Sequence, residues 1–105
     1  RVKLAWYLAM DKPEPTMFIF DEPTTGLHFH DISVLLKSFE RLLRQGHTLV
    51  IIEHNPEVIK TADHIIDIGP EGGDEGGMIV AEGTPEEVAA TGRGYTAPII
   101  AEHLK

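Results

Sequence analysis

Phe18-Ile19-Phe20-Asp21-Glu22-Pro23-Thr24-Thr25-Gly26-Leu27-His28 is the stretch that decides the fold. Its apolar part predicts a strand over 17–21 with the composition of a strand buried on both faces. Pro23 cannot extend a hydrogen-bonded ladder, so the strand ends at the acidic pair. Asp21 and Glu22 therefore lie at the carboxyl end of a strand, where open α/β sheets bind their ligands. One such carboxylate can hold the magnesium of a nucleotide, and the next can orient or deprotonate a water.

Strand and helix patterns alternate on both sides of this stretch. Apolar runs predict further strands over 48–53, 64–68 and 78–81. Helical spacing of apolar residues predicts helices over 2–10 and 29–43, and shorter helices are expected over 56–61, 85–90 and 97–104. This alternation indicates an α/β fold with a parallel sheet, right-handed crossovers and flanking helices. The last two strands flank a glycine-rich connector over 69–77, so they could instead form an antiparallel hairpin.

Two of the predicted helices carry specific signals. The helix over 29–43 has one apolar stripe, and Gly46 follows it in the position favoured after a helix end. The stripe comprises Phe29, Ile32, Leu35, Leu36, Phe39 and Leu43. Thr84-Pro85-Glu86-Glu87 has a threonine cap, a proline at the first helical position and a glutamate three residues after the cap. The sequence therefore predicts a helix start at Thr84.

Composition limits the function classes. The 105 residues fit one domain, 1–105, and 42% of them are hydrophobic. The formal charge of −8 argues against direct contact between this chain and a DNA backbone. No cysteine is present, which excludes disulfides and thiolate metal sites. No apolar stretch approaches the roughly 20 residues of a membrane span.

The acidic strand end and its loop resemble the Walker B motif and adjoining loop of ABC-type ATPases. Thr24-Thr25-Gly26-Leu27-His28 replaces the more common Ser-Ala-Leu-Asp-like loop and is typical of the UvrA family. Three further segments are similar to the same family: 1–5, which resembles the helix after the ABC signature, 50–63, and 65–85 with its Gly-Pro-Glu-Gly-Gly run. The resemblance covers nearly the whole chain, in the order of the carboxyl-terminal end of a UvrA protein.

The resemblance implies a role for each candidate site residue. Asp21 would bind magnesium, Glu22 would act as general base for the attacking water, and His54 would sense the γ-phosphate. Thr25, Gly26, Leu27 and His28 would form the D-loop, which reaches across the interface between two nucleotide-binding domains. Without this context, Asp21 would be a strand-end cap, Glu22 a surface glutamate and His54 a turn residue. The loop would be a simple strand-to-helix turn. Glu53 is interpreted as structural.

No G-x-x-x-x-G-K-[ST] sequence is present, so the chain lacks the loop that cradles phosphates. We therefore expect a partial P-loop NTPase fold without its phosphate-loop strand, part of a much larger protein and inactive alone. In ABC ATPases the missing strand lies beside the histidine-bearing strand. Its absence would leave the edge of 48–53 unpaired, and the isolated chain could then self-associate.

Two other sites are considered and rejected. His28 and His30 are two residues apart, so a helix would not place them on one face, and no spacing fixes a third zinc ligand. Zinc modules of UvrA-type proteins use cysteine motifs that are absent here, so zinc is expected only outside this sequence. The 69–77 connector contains three carboxylates and no lysine, which predicts a flexible turn and not a phosphate loop.

The implied parent is a cytoplasmic ATPase of nucleotide excision repair that uses ATP and Mg2+. Its implied partners are a second ABC module, a second subunit copy, DNA and other repair-complex subunits, with no membrane. One alternative is the ATPase subunit of an ABC membrane transporter, which shares the same chemical groups. The other is an inert structural or interaction module. The loop after Glu22 and the Gly-Pro-Glu-Gly-Gly run argue against the transporter.

Overall fold

The computed structural model describes residues 14–69 and 77–104. The predicted helix over 2–10 and residues 70–76 of the connector lie outside this part. The elements are β1 (Met17–Asp21), α1 (Phe29–Arg44), β2 (Thr48–Ile52), α2 (Pro56–Ile59), β3 (Ile65–Ile68), β4 (Ile79–Gly83), α3 (Pro85–Thr91) and α4 (Thr96–His103). None of the described helices combines the length and apolar character of a membrane span. The chain divides into two compact units, Arg1–Glu53 and His54–Lys105.

The first unit contains a parallel pair of strands joined by a helix. β1 and β2 run in the same direction, from the Met17–Thr48 pair to the Asp21–Ile52 pair. Parallel strands need a crossover connection, and α1 supplies it here. The predicted parallel arrangement is confirmed for these two strands. Because the strands are parallel and in register, their carboxyl ends lie side by side at one edge of the sheet.

One face of this sheet packs against α1. The ring of Phe20 lies 4.9 Å from the ring of Phe39, measured between centroids, and Phe39 is buried in α1. On the opposite face, Met17 and Ile19 are 62% and 67% exposed. The prediction that the strand over 17–21 is buried on both faces is therefore wrong for this structure. Successive side chains of a strand point to opposite faces, and α1 covers only one of them.

α1 has the predicted start and nearly the predicted end. Gly46 follows it, and its N–H donates to the carbonyl of Leu43 at 3.0 Å. The buried residues are Ile32, Phe39 and Leu42, whereas Phe29 is 77% and Leu43 is 46% exposed. The predicted stripe was thus wrong at both ends. Leu42 lies three residues after Phe39 and Leu43 lies four after it, so both spacings fit a helical stripe, and the packing selects Leu42.

The second unit contains an antiparallel hairpin covered by helices. β3 and β4 pair from Ile65–Gly83 to Ile68–Ile79, with an irregularity between Asp67 and Ile68. This outcome confirms the hairpin that the sequence left open. The core of the unit is formed by Ile65, Ala81, Val88 and Ala97, with Ile59 and Ala62 packed against it.

α3 begins with the predicted capping box. The side chain of Thr84 accepts from the N–H of Glu87 at 3.1 Å, and the carboxylate of Glu87 accepts from the N–H of Thr84 at 3.0 Å. The bond from the backbone of Thr84, helped by the bond from its side chain, holds the pKa of Glu87 below its ordinary value. Both bonds satisfy N–H groups that a helix start leaves without partners.

Candidate active site

Asp21 and Glu22 lie at the carboxyl end of β1, as the sequence predicted. Asp21 is the last residue of the strand and pairs with Ile52, the last residue of β2. The N–H of Glu22 donates to the carbonyl of Ile52 at 2.7 Å, which extends the ladder by one bond. Both acidic residues are exposed. The sheet therefore presents two adjacent carboxylates at the edge where α/β sheets bind ligands.

Glu22 has an uncommon backbone conformation. Its φ of +49° lies in the left-handed region, and no other described residue except glycine has a positive φ. This region places Cβ close to the following carbonyl and costs about 1–2 kcal/mol for a residue with a side chain. Such strain persists where surrounding bonds over-determine the backbone, and it concentrates at functional sites. The conformation ends the extended strand at the acidic pair.

The loop after the acidic pair is built from two successive turns. The carbonyl of Glu22 accepts from the N–H of Thr25 at 3.2 Å, and the carbonyl of Thr24 accepts from the N–H of Leu27 at 3.0 Å. Thr24 is buried, and Gly26 has a φ of +77°, which glycine adopts without a Cβ penalty. These bonds give Thr25–His28 a defined backbone path.

His28 is the last residue before α1. Its carbonyl accepts from the N–H of Ile32 at 3.1 Å, which is the first bond of the helix. The side chain of His28 makes no capping hydrogen bond and is exposed. The ring is therefore available to a partner, whereas its backbone has a structural role.

Glu53 joins this site although the sequence interpretation left it structural. Its Oε2 accepts from the N–H of Thr24 at 3.3 Å, across 29 residues of sequence. The signal for it was the position of Glu53 directly after β2, whose end lies beside that of β1 in the structure. The first unit thus brings Asp21, Glu22, the loop and Glu53 together. His54, the next residue in sequence, is exposed and begins the second unit.

The described residues contain no group of three or more His, Cys, Asp or Glu side chains arranged to hold a metal ion. A metal at Asp21 would therefore need ligands from elsewhere. Mg2+ bound with a nucleotide takes one or two protein carboxylates and completes its shell with phosphate oxygens and water. A lone strand-end carboxylate fits that kind of site and does not fit a metal cage built by protein alone.

Comparisons with known proteins give consistent matches. The chain is 56% identical over 105 residues to UvrABC system protein A of Rhizobium meliloti (strain 1021), covering 100% of the chain and 11% of the relative. It is 63% identical over 92 residues to UvrABC system protein A of Methanothermobacter thermautotrophicus, covering 88% of the chain and 10% of the relative. The crystal structure of UvrA2 from Deinococcus radiodurans superposes with a TM-score of 0.89 at 39% identity, over 99% of the chain and 13% of that structure. No family model matches.

The fold and the acidic strand end match part of an α/β P-loop fold of the ABC ATPase type, which is the partial fold that the sequence predicted. Within that class, the chain belongs to the UvrA family. It spans about a tenth of the length of the curated relatives it matches.

Proposed function

We propose that this chain carries the hydrolytic side of an ATP site in a nucleotide excision repair protein. The observation that carries the proposal is the acidic pair at the carboxyl end of β1, with Glu22 fixed in a left-handed conformation. The membership of the chain in the UvrA family supports it. Because the chain spans a small part of those relatives, the proposal concerns the longer protein that contains this sequence.

Asp21 is the proposed metal-side carboxylate. It is exposed at the end of a strand whose position is fixed by pairing with Ile52, so its carboxylate can meet an incoming nucleotide without rearrangement of the sheet. Magnesium, when bound there with ATP, would neutralise charge on the phosphate oxygens. The proposed role of Asp21 is to bind that magnesium ion at the end of β1.

Glu22 is the proposed general base. Phosphoryl transfer leaves little covalent work to the protein, so the main task is to position the attacking water. The backbone of Glu22 is held on one side by its N–H bond to Ile52 and on the other by the turn from its carbonyl to Thr25. A backbone held at both ends limits the volume that the carboxylate explores. This restriction favours productive orientation of a water, with the carboxylate accepting its proton.

His54 and the loop have further proposed roles in the longer protein. His54 would donate a hydrogen bond to the γ-phosphate and so distinguish ATP from ADP. Thr25, Gly26, Leu27 and His28 would contact a second ABC module, because their backbone path is ordered while Thr25, Gly26 and His28 are exposed. The phosphate-binding loop would come from outside this sequence.

The biological role follows from the family. The intact protein would use ATP binding and hydrolysis to examine DNA for damage in the cytoplasm, and to recruit the other subunits of the repair complex. Its partners would be a second ABC module, a second copy of the subunit and DNA. The net charge of −8 makes this segment an unsuitable DNA-contacting surface, so those contacts would lie elsewhere in the protein.

Glu22→Gln in the full-length protein tests the proposal. We expect ATP binding to change by less than about twofold and steady-state phosphate release to fall by about 10²-fold or more, the range of general base catalysis. Glu40→Gln is the matched control, because Glu40 is an exposed glutamate of α1 that pairs with Arg44. Near-normal turnover by the Glu22 variant would remove Glu22 as the base.

A further inference from the structure

Glu53 makes a contact that spans the carboxyl edge of the sheet. It follows the last residue of β2, and its Oε2 accepts from the N–H of Thr24 at 3.3 Å. Thr24 lies two residues after Glu22 and is buried, so its amide has limited access to water. A buried backbone N–H requires a partner, and the Glu53 carboxylate supplies one.

Two hydrogen bonds connect the end of β2 to the segment from Glu22 to Thr24. The carbonyl of Ile52 holds the N–H of Glu22 at 2.7 Å, and the carboxylate of Glu53 holds the N–H of Thr24. The backbone of Glu22, whose φ is +49°, lies between these two hydrogen-bonded amides. A non-glycine residue stays in that region only when its surroundings hold it there. The Glu53 bond is one of the contacts that can do so.

We propose that Glu53 is a positioning residue for the hydrolytic step. Its carboxylate anchors the Thr24 amide and thereby fixes both the Glu22 backbone and the start of the loop over Thr25–His28. This inference rests on the proposed function of Glu22. It assigns to Glu53 no contact with ATP or with the reacting water. Loss of the anchor should therefore slow the chemical step and leave ATP affinity nearly unchanged.

Two conservative substitutions separate the hydrogen bond from the charge. Glu53→Gln removes the charge and keeps a side-chain oxygen at the same reach, so it still accepts from Thr24. Glu53→Asp keeps the charge and withdraws the oxygens by about 1.5 Å, the length of one carbon–carbon bond. The experiment is steady-state ATP hydrolysis by the full-length protein carrying each change, with Glu40→Asp as the control on exposed α1.

We expect Glu53→Asp to lower kcat about tenfold, with KM for ATP within about twofold, as loss of one charge-assisted hydrogen bond acting on the transition state would do. Glu53→Gln should stay within about threefold of the wild-type kcat, and Glu40→Asp should match wild type. Retained kcat in Glu53→Asp, or a Glu53→Gln defect as large as that of Glu53→Asp, would overturn the positioning role.

Failure of this inference is distinguishable from failure of the proposed function. Glu22→Gln is measured in the same assay. Wild-type turnover in Glu22→Gln would refute the proposed base itself. A severe defect in Glu22→Gln together with full activity in Glu53→Asp would refute only the role of Glu53.

Discussion

Replacing His47 should loosen the start of β1. His47 is 4% exposed, and its Nδ1 accepts from the N–H of Thr16 at 3.0 Å. Its ring also meets the ring of Phe18 edge to face, with 5.2 Å between centroids. His47→Leu replaces the imidazole with an apolar side chain of similar size and removes both the acceptor and the aromatic pair. A net hydrogen bond of about 1 kcal/mol and an aromatic contact of about 1 kcal/mol sum to about 2 kcal/mol.

Amide hydrogen exchange measured by NMR tests this value. A loss of about 2 kcal/mol corresponds to exchange of the Thr16 amide about 30 times faster in His47→Leu than in the native chain. His47→Asn is the matched control, since its Oδ1 can occupy the place of Nδ1 and keep the acceptor while the ring is lost. We expect Asn to recover about half of the lost protection. Equal Thr16 exchange in His47→Leu and the native chain would refute the argument.

Two further predictions concern the second unit. Hydrogen bonds with Thr84 lower the pKa of Glu87 in the folded chain. The ionised Glu87 carboxylate therefore stabilises α3 fully above the pKa that Glu87 has in the unfolded chain, and this stabilisation is lost as the pH falls through the lower pKa of the folded chain. An NMR titration should show the Glu87 carboxyl protonating at lower pH than in a peptide, and Glu87→Gln should remove this acid-dependent fraying. Gly94→Ala should destabilise more than Gly92→Ala. Both glycines have a positive φ, but only a Cβ at Gly94 would lie 2.7 Å from Oδ2 of Asp67, whereas one at Gly92 meets nothing within 4 Å. Equal thermal shifts in the two variants would contradict the steric argument.

The strands and the acidic edge were predictable because their signals are local. An apolar run that stops at a proline locates the end of β1 at Asp21 without any knowledge of its neighbours. The start of α3 was equally predictable, because the capping box from Thr84 to Glu87 satisfies its own backbone groups. Such features depend on residues a few positions apart, and tertiary packing did not change them.

Features that depend on distant residues were predicted poorly. The choice of Leu42 over Leu43 in the buried stripe depends on where β1 and β2 lie beneath α1. Burial of β1 on a second face depends on what else covers it, and Ile19 and Met17 are exposed here. Contact between Glu53 and Thr24 depends on the relative position of two strand ends, which a motif over 18–28 does not contain.

The left-handed backbone conformation of Glu22 is the unpredicted feature that matters most for the proposed function. Local propensity argues against a left-handed glutamate, because glycine or asparagine adopts that region at lower cost. The β2 end holds the chain from Glu22 to Thr24 through backbone and side-chain bonds, and this tertiary restraint overrides the propensity. A glycine at this position would relax the backbone but would also remove the carboxylate. Backbone strain of this kind concentrates at functional sites, which supports the role proposed for Glu22. Glu22 thus combines the motif over 18–28 with a positive φ that no other described residue except glycine has, and these two observations are the basis on which we propose it as the general base.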